Sequence, residues 1–238
     1  MQRYRFSGGG LHPFYFLTLS SRGGNILTEY SLEHRSYHGA VQMSKKKSDI
    51  LKTATRLFAH KGFRQTSVAE LSRLSQAAEG TIFYYFKTKE NLLVAVLETA
   101  RNTIIDAFRN GMHDKTALSG IDRIESLLAL YLDLTEHMRE EFLILHRHFP
   151  YEKAVANSLC REHLASIYNC VLDHLEAALA RGREDGTITA GPGNNTAMIL
   201  FSLVDGISRF NTLGIYDTST LYTDLMIMCR KMLTFRNG

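Results

Sequence analysis

From residue 48 onward the apolar positions recur at intervals of three and four, the period of a helix with one buried face. Ile50, Leu51, Ala54, Leu57 and Phe58 form the first such face, and Lys61-Gly62 supplies a stop. Ser67 then stands where a helix cap belongs, with Glu70 three residues later as in a capping box and Val68, Leu71 and Leu74 on one face. The run Ser75-Gln76-Ala77-Ala78 breaks the period. A second short helix starts near Glu79, with Ile82, Phe83 and Phe86 expected inward and Thr81, Tyr84 and Tyr85 outward. Two short helices joined by a tight turn predict a helix-turn-helix over about residues 67–86.

Thr88 or Lys89 opens a longer helix, in which Leu92, Leu93, Val96, Leu97, Ile104, Ile105 and Phe108 keep the period to about Asn110-Gly111. Helical patterns then recur over residues 121–137, 140–149, 155–181, 194–213 and 218–234, separated by Pro150, by residues 182–186 and by Gly214. No strand-like alternation competes with them. The expected fold is all-α: a three-helix head over residues 44–104 and a helical body over residues 105–238. Ile199, Leu200, Leu203, Val204 and Ile207, with Leu221, Leu225, Met228 and Met232, suit either a four-helix bundle across a homodimer or a cover for their own body.

Residues 1–42 differ from the rest, with Gly8-Gly9-Gly10, Pro13 and Gly23-Gly24 and no sustained period, and read as a poorly ordered extension. The apolar run from Leu11 to Leu19 follows Arg3 and Arg5, but Pro13 interrupts it and no small-residue cleavage site follows, which argues against an export signal. Met43-Ser44-Lys45-Lys46-Lys47 offers an alternative start of translation directly before the first helix.

The chain has 238 residues, 45% hydrophobic and 22% charged, the balance of an ordinary globular protein able to bury a core. Its net charge of +4 is unevenly spread. Residues 43–92 hold 10 basic and 4 acidic side chains, whereas residues 93–238 hold 14 and 18, so a basic head sits on a mildly acidic body. That polarity suits a protein that meets phosphates with one end. Cys160, Cys170 and Cys229 form no C-x-x-C and suggest no disulfide framework, which favours a reducing cytoplasm; no membrane partner is expected.

The pattern G-F-x-x-T-[ST]-V from Gly62, followed by G-T-I-[FY]-x-Y-F-x-[ST]-K-E-x-L from Gly80, resembles the TetR family of transcriptional regulators. Three positions depart from the family's usual residues: Gln76 stands for the turn glycine, Ala78 for the hydroxyl cap of the reading helix, and Phe83 for the commoner Tyr. The first two cost about 1 kcal/mol or less each. The resemblance implies that Lys89 contacts phosphate, that Tyr84 and Tyr85 meet backbone or bases, and that Thr66 and Ser67 donate to the DNA backbone. The chain's own chemistry places Glu79, Gly80 and Thr81 at the first turn of the reading helix. There Gly80 permits close approach, Thr81 can meet a thymine methyl, and Glu79 either accepts from cytosine N4 or serves the helix dipole. Lys45, Lys46 and Lys47 read as an arm on the duplex or a solvated tail.

In the body, Tyr131, Met138, Phe142, His146, Phe149, His163, Tyr168 and Phe201 lie on or beside apolar stripes where an effector pocket would form between helices, although aromatics at this spacing also make plain core. The family resemblance implies that a small apolar or amphipathic molecule bound there moves the linking helix and spreads the two heads of a dimer, releasing a palindromic double-stranded operator. His137 with Glu141, and His146 with His148, fall short of a metal site. No nucleophile elbow, P-loop or dinucleotide fingerprint is present, so no cofactor, metal or catalytic residue is expected. The alternative to a ligand-released repressor is an effector-free helical interaction protein tethered to DNA by its head; a helical enzyme stands third.

Overall fold

The computed structural model describes residues 45–113, 115, 117–189, 195–218 and 220–235. The expectations for residues 1–42 and for a start at Met43 lie outside the described residues. Among those described, all regular structure is helical, as the apolar spacing predicts.

α1 spans residues 45–60, so Lys45, Lys46 and Lys47 form its first turn instead of an arm ahead of it. Its face of Ile50, Ala54, Leu57 and Phe58 is buried together with Leu71 of α2 (Val68–Ser75) and Ile82 and Phe86 of α3 (Glu79–Phe86). The N–H groups of Lys61 and Gly62 both donate to Leu57 O, and Gly62 takes φ +97°, a left-handed ending that a glycine enters without steric cost.

α4 (Lys89–His113) carries the head into the body. Leu92, Leu93, Val96, Leu97, Ile104 and Phe108 along it are buried in one apolar cluster that also holds the interiors of head and body. A helix of this length is about 37 Å long, a stiff rod. It continues past the expected stop at Asn110-Gly111, because Gly111 is a packing residue: a Cβ there would come 2.9 Å from the side chain of Leu130.

The body comprises α5 (Gly120–His137), α6 (Arg139–Leu145), α7 (Phe149–Ala156), α8 (Ser158–Glu184), α9 (Thr196–Thr212) and α10 (Leu221–Thr234). α8 packs against α4, α5, α7 and α9 and so forms the centre of the body. Three expected boundaries are corrected. The helix expected over residues 140–149 is two helices. Pro150, read as a breaker, lies in the first turn of α7, where a missing N–H breaks no intrahelical bond. α8 begins after Val155, which is exposed, at an Asn157 cap whose side chain accepts from the N–H groups of Leu159 and Cys160.

Gly182, expected in the break after α8, lies within its last turns. A Cβ on Gly182 would fall 2.4 Å from the Ile188 side chain, and Gly120, the first residue of α5, crosses so closely that a Cβ on it would fall 2.1 Å from Gly182 N. The start of α5 is fastened at the same place. Gly120 N donates to Asp185 Oδ2 at 2.7 Å, Ile121 N donates to Thr187 Oγ1, and Ser119 accepts from Asp122 N. From the far side Arg230 of α10 reaches Asp122 and Glu125, at 2.8 and 2.6 Å.

Backbone cannot yield as a flexible side chain does. Gly120→Ala is therefore expected to lower unfolding stability by about 1–3 kcal/mol, read as a lower urea midpoint at unchanged slope; an unchanged midpoint would refute this close crossing.

Candidate functional site

α2 begins as the sequence suggests, with Ser67 extended and its Oγ accepting from Glu70 N at 3.1 Å. The reciprocal half of the capping box is not formed: the Glu70 carboxylate pairs with Lys61 Nζ at 2.6 Å. Ser67 is exposed and its hydroxyl proton is uncommitted in that contact. Thr66, expected as a second donor, is 1% exposed and gives its hydroxyl proton to Gly62 O at 2.8 Å. It therefore shapes the turn after α1 and cannot present that hydroxyl to a phosphate.

Gln76 takes the left-handed conformation, φ 53° and ψ 31°, that the turn between α2 and α3 requires. α3 then starts at Ala78 with no side-chain cap, so the amide groups of Glu79 and Gly80 at its tip carry no capping acceptor from that residue. Glu79 and Gly80 are exposed, Thr81 is half-buried and Tyr84 is 61% exposed.

The inward set differs from expectation in one exchange. Phe83, expected in the core, is 43% exposed, while Tyr85, expected outward, is half-buried against the apolar cluster. The helical period explains it: Tyr85 and Phe86 follow Ile82 by three and four residues and share its face, whereas Phe83 is turned by about 100°. The reading face thus presents a phenyl ring beside Tyr84, whose ring lies edge-on to Tyr85 at 5.3 Å.

Lys89 has a more confined setting than a surface phosphate contact. Its Nζ donates to Phe63 O and Thr66 O, both at 3.0 Å, and lies 4.6 Å from the centre of the Phe63 ring. An ammonium has three protons, so one remains beyond these two carbonyls. Two residues of this corner were not singled out as DNA contacts, although Thr88 was expected at the start of α4. Thr88 caps α4 by accepting from Asn91 N, and the exposed Lys87, at φ 60°, sets its Nζ 5.7 Å from the Tyr84 ring. A positive φ on a lysine leaves no sequence signature.

Five of the eight body residues singled out from the sequence come together. Tyr131 and Phe142 meet edge to face at 5.5 Å, Tyr131 and Phe201 likewise at 5.5 Å, Tyr168 and Phe201 at 5.7 Å, and Phe142 lies beside His146. At the centre is Asp205, which the sequence reading passed over because a lone acid in an apolar helix resembles a solvated charge. Its Oδ1 accepts from Tyr131 Oη at 2.6 Å and lies 3.3 Å from His146 Nε2. Burial pushes the Asp205 carboxyl up, but the hydrogen bonds from His146 and Tyr131 and the nearby charges together bring it below the ordinary carboxylate value. Tyr151, also missed, joins through its hydroxyl contact with Tyr168.

The other three are placed elsewhere. Met138 is half-buried at the corner between α5 and α6. His163 sits between α4 and α8 with its Nδ1 3.3 Å from Arg101 Nη1, its basicity lowered by burial and then by that guanidinium. Phe149 stacks on Phe63 of the head at 5.9 Å, and so lies in the joint between head and body. That joint also holds Arg64 with Glu152 at 2.8 Å, Arg147 Nε donating to Ala59 O at 2.9 Å, and Lys153 with Glu90 at 3.3 Å. A separate open groove of about 700 Å3, lined by Leu132, Glu136, Ile207 and Tyr222 among others, involves none of the eight.

With this geometry in hand, comparison with known proteins is informative. Residues 50–96 match the family model of bacterial regulatory proteins of the tetR family. Over those residues the chain carries the DNA-binding segment of that family. Among curated relatives, the uncharacterized HTH-type transcriptional regulator YuxN of Bacillus subtilis is 31% identical over 99 residues, 40% of this chain and 32% of that protein. QacR, an HTH-type transcriptional regulator of Staphylococcus aureus, is 41% identical over 51 residues, 21% of this chain and 27% of QacR. The chain thus spans about a third or less of the length of these relatives. A transcriptional regulator from Saccharomonospora viridis, solved in complex with choline, superposes with TM-score 0.69 over 81% of this chain and 100% of its own at 19% identity, a likeness of fold. No helix among the described residues is long and apolar enough to cross a membrane.

Gly80 gives this head a separable test. It is helical with open space where a Cβ would go, so Gly80→Ala is expected to stabilise the protein by about 0.5–1 kcal/mol while lowering DNA affinity by about tenfold or more through lost close approach. Parallel urea unfolding and DNA titration would check both, and a variant that bound DNA as well as the parent would remove Gly80 from the contact surface.

Proposed function

We propose that the chain is a DNA-binding transcriptional regulator, a repressor that binds a palindromic operator as a homodimer and is released by a small-molecule effector. The observation that carries this reading is the exposed face of α3, with an uncapped amide tip at Glu79 and Gly80 and with Phe83 and Tyr84 projecting beside it. A helix of this shape enters the major groove tip first, offering amides to phosphate and side chains to base edges. Thr81 and Glu79 read bases in this account. Ser67 and the third proton of Lys89 bind phosphate, and Tyr84, with Tyr85 behind it, lies along the backbone. Lys87 and the Thr88 hydroxyl extend that set.

The head takes residues 44–104 and the body residues 105–238. The last two helices supply the dimer contact: Met198, Ile199, Leu203 and Phe210 of α9 and Leu221, Ile227, Met228 and Met232 of α10 are exposed. Such a row of large apolar side chains is costly in water and suits an isologous interface. Leu200, Val204 and Leu225, also assigned to that seam from the sequence, are buried within the protomer and support it from behind. An effector acts at the Tyr131–Phe142–His146–Tyr168–Phe201 cluster; the choline complex of the Saccharomonospora protein supports small-ligand binding by a body of this fold. The α6–α7 segment connects the two ends, since Phe142, His146 and Tyr151 face the cluster while Arg147, Phe149, Glu152 and Lys153 hold the head.

Two substitutions test the contact assignments. Lys89→Ala is expected to weaken binding to all sequences alike and to reduce the slope of log affinity against log salt by about one. Thr81→Ala is expected to change base preference at one position of each half-site with the salt slope intact. Each variant is measured where its unfolding curve shows it folded. An unchanged salt slope for the first, or unchanged preference for the second, would remove that residue from the interface.

A further inference from the structure

The hydrogen-bond ledger around Asp205 identifies the kind of head group an effector must carry. This inference rests on the reading of the cluster as the effector site and deepens it. Each donor in the cluster can be traced to an acceptor. Tyr151 gives its hydroxyl proton to Leu145 O at 2.8 Å, so the contact between the Tyr151 and Tyr168 hydroxyls is donated by Tyr168. Tyr131 donates to Asp205 Oδ1. An ionised carboxylate only accepts, so the imidazole nitrogen facing it, His146 Nε2, carries the proton. The other ring nitrogen, Nδ1, is buried without any hydrogen-bond partner on a side chain 4% exposed.

What remains is a surplus of acceptors. Both donors to Asp205 converge on Oδ1, and its Oδ2 takes no hydrogen bond among the described residues. The Tyr168 hydroxyl commits its proton to the hydrogen bond with Tyr151, and its oxygen can still accept. The carboxylate side chain is 27% exposed, so the acceptor group opens to solvent on one side while Tyr131 and His146 close the other. Phe201, between Tyr131 and Tyr168, provides an apolar wall next to it. An ionised carboxylate oxygen with no donor on it, set beside an aromatic face, attracts a cation that can donate.

We propose that this cluster binds a protonated amine bearing N–H groups, with the ammonium donating to Asp205 Oδ2 and neighbouring acceptors and its hydrocarbon part lying against Phe201. Arg209, one turn along α9 and exposed, sets the rim; its charge is felt by Asp205, Tyr151 and Tyr168, but it forms no ion pair with the carboxylate among the described residues. It repels an entering cation, so its removal strengthens binding.

The test is calorimetric titration of the full-length protein at pH 8 with four probes of one chain length: hexylammonium, hexyltrimethylammonium, hexanol and hexanoate. Hexylammonium is expected to bind about tenfold or more tightly than the other three. Asp205→Asn, confirmed folded by thermal unfolding, is expected to lose about tenfold, and Arg209→Ala to gain about twofold or more. Equal binding of all four, preference for hexanoate, or no heat from hexylammonium at millimolar concentration would overturn the proposal. The parent protein's probe selectivity decides the matter even if the Asp205 variant fails to fold. Release of the protein from operator DNA by an acidic or neutral component of a small-molecule extract would overturn the amine class while leaving effector control standing. Release by no component at all would overturn effector control itself.

Discussion

The ring of Phe63 is the constraint around which head and body are joined. It is 3% exposed, meets Phe58 of α1 edge-on at 5.3 Å and stacks on Phe149 of α7 at 5.9 Å. Two lysines flank it, Lys89 of α4 at 4.6 Å and Lys153 of α7 at 5.0 Å from its centre. Each contact of this kind is worth about 0.5–2 kcal/mol, and three helices therefore depend on one side chain in the loop between α1 and α2. Lys89 adds the backbone to this node by holding the carbonyls of Phe63 and Thr66. The head can therefore move only with the start of α4 and with α7, or else by breaking this packing.

That constraint ties the head to the aromatic cluster of the body through one short segment. The segment from α6 to α7 has one side in the Asp205 cluster, through His146 and Tyr151, and the other against the head, through Arg147, Phe149 and Glu152. The exposed ion pairs in this joint contribute little stability each. The stacked rings and the donation from Arg147 to Ala59 O set its geometry. His146 of that cluster is one residue from Arg147 and three from Phe149, which hold the end of α1 and the loop that follows it.

Most of the fold was legible from spacing alone. Helical period predicted every helix of the head, and the residues it selected on α1, α2 and α4 are buried except Leu51, Val68, Leu74 and Ile105, which are half-buried. It failed where a local residue serves a distant partner. Gly111 and Gly182 read as stops, yet they lie inside helices, where Leu130 and Ile188 take the room a side chain would need. Pro150 read as a break because its place in a first turn is invisible without the preceding bend. In the site, type and spacing located the exposed tip of α3 but exchanged Phe83 with Tyr85, since an eight-residue helix with aromatics at four positions offers more than one plausible face. Thr66 looked like a donor and is a buried tie, and Lys89 proved half internal. Asp205 carried no local signal: its partners, Tyr131 and His146, are 74 and 59 residues away.

The account rests on α3 reading a symmetric DNA site in two copies. Selection of binding sequences from random duplexes, followed by measurement of protein stoichiometry on the selected site, tests this most directly. An inverted repeat bound by an even number of protomers, with half-sites in successive major grooves on one face of the duplex, is the predicted result. Recovery of no preferred sequence, or of an asymmetric site saturated by a single protomer, would contradict it.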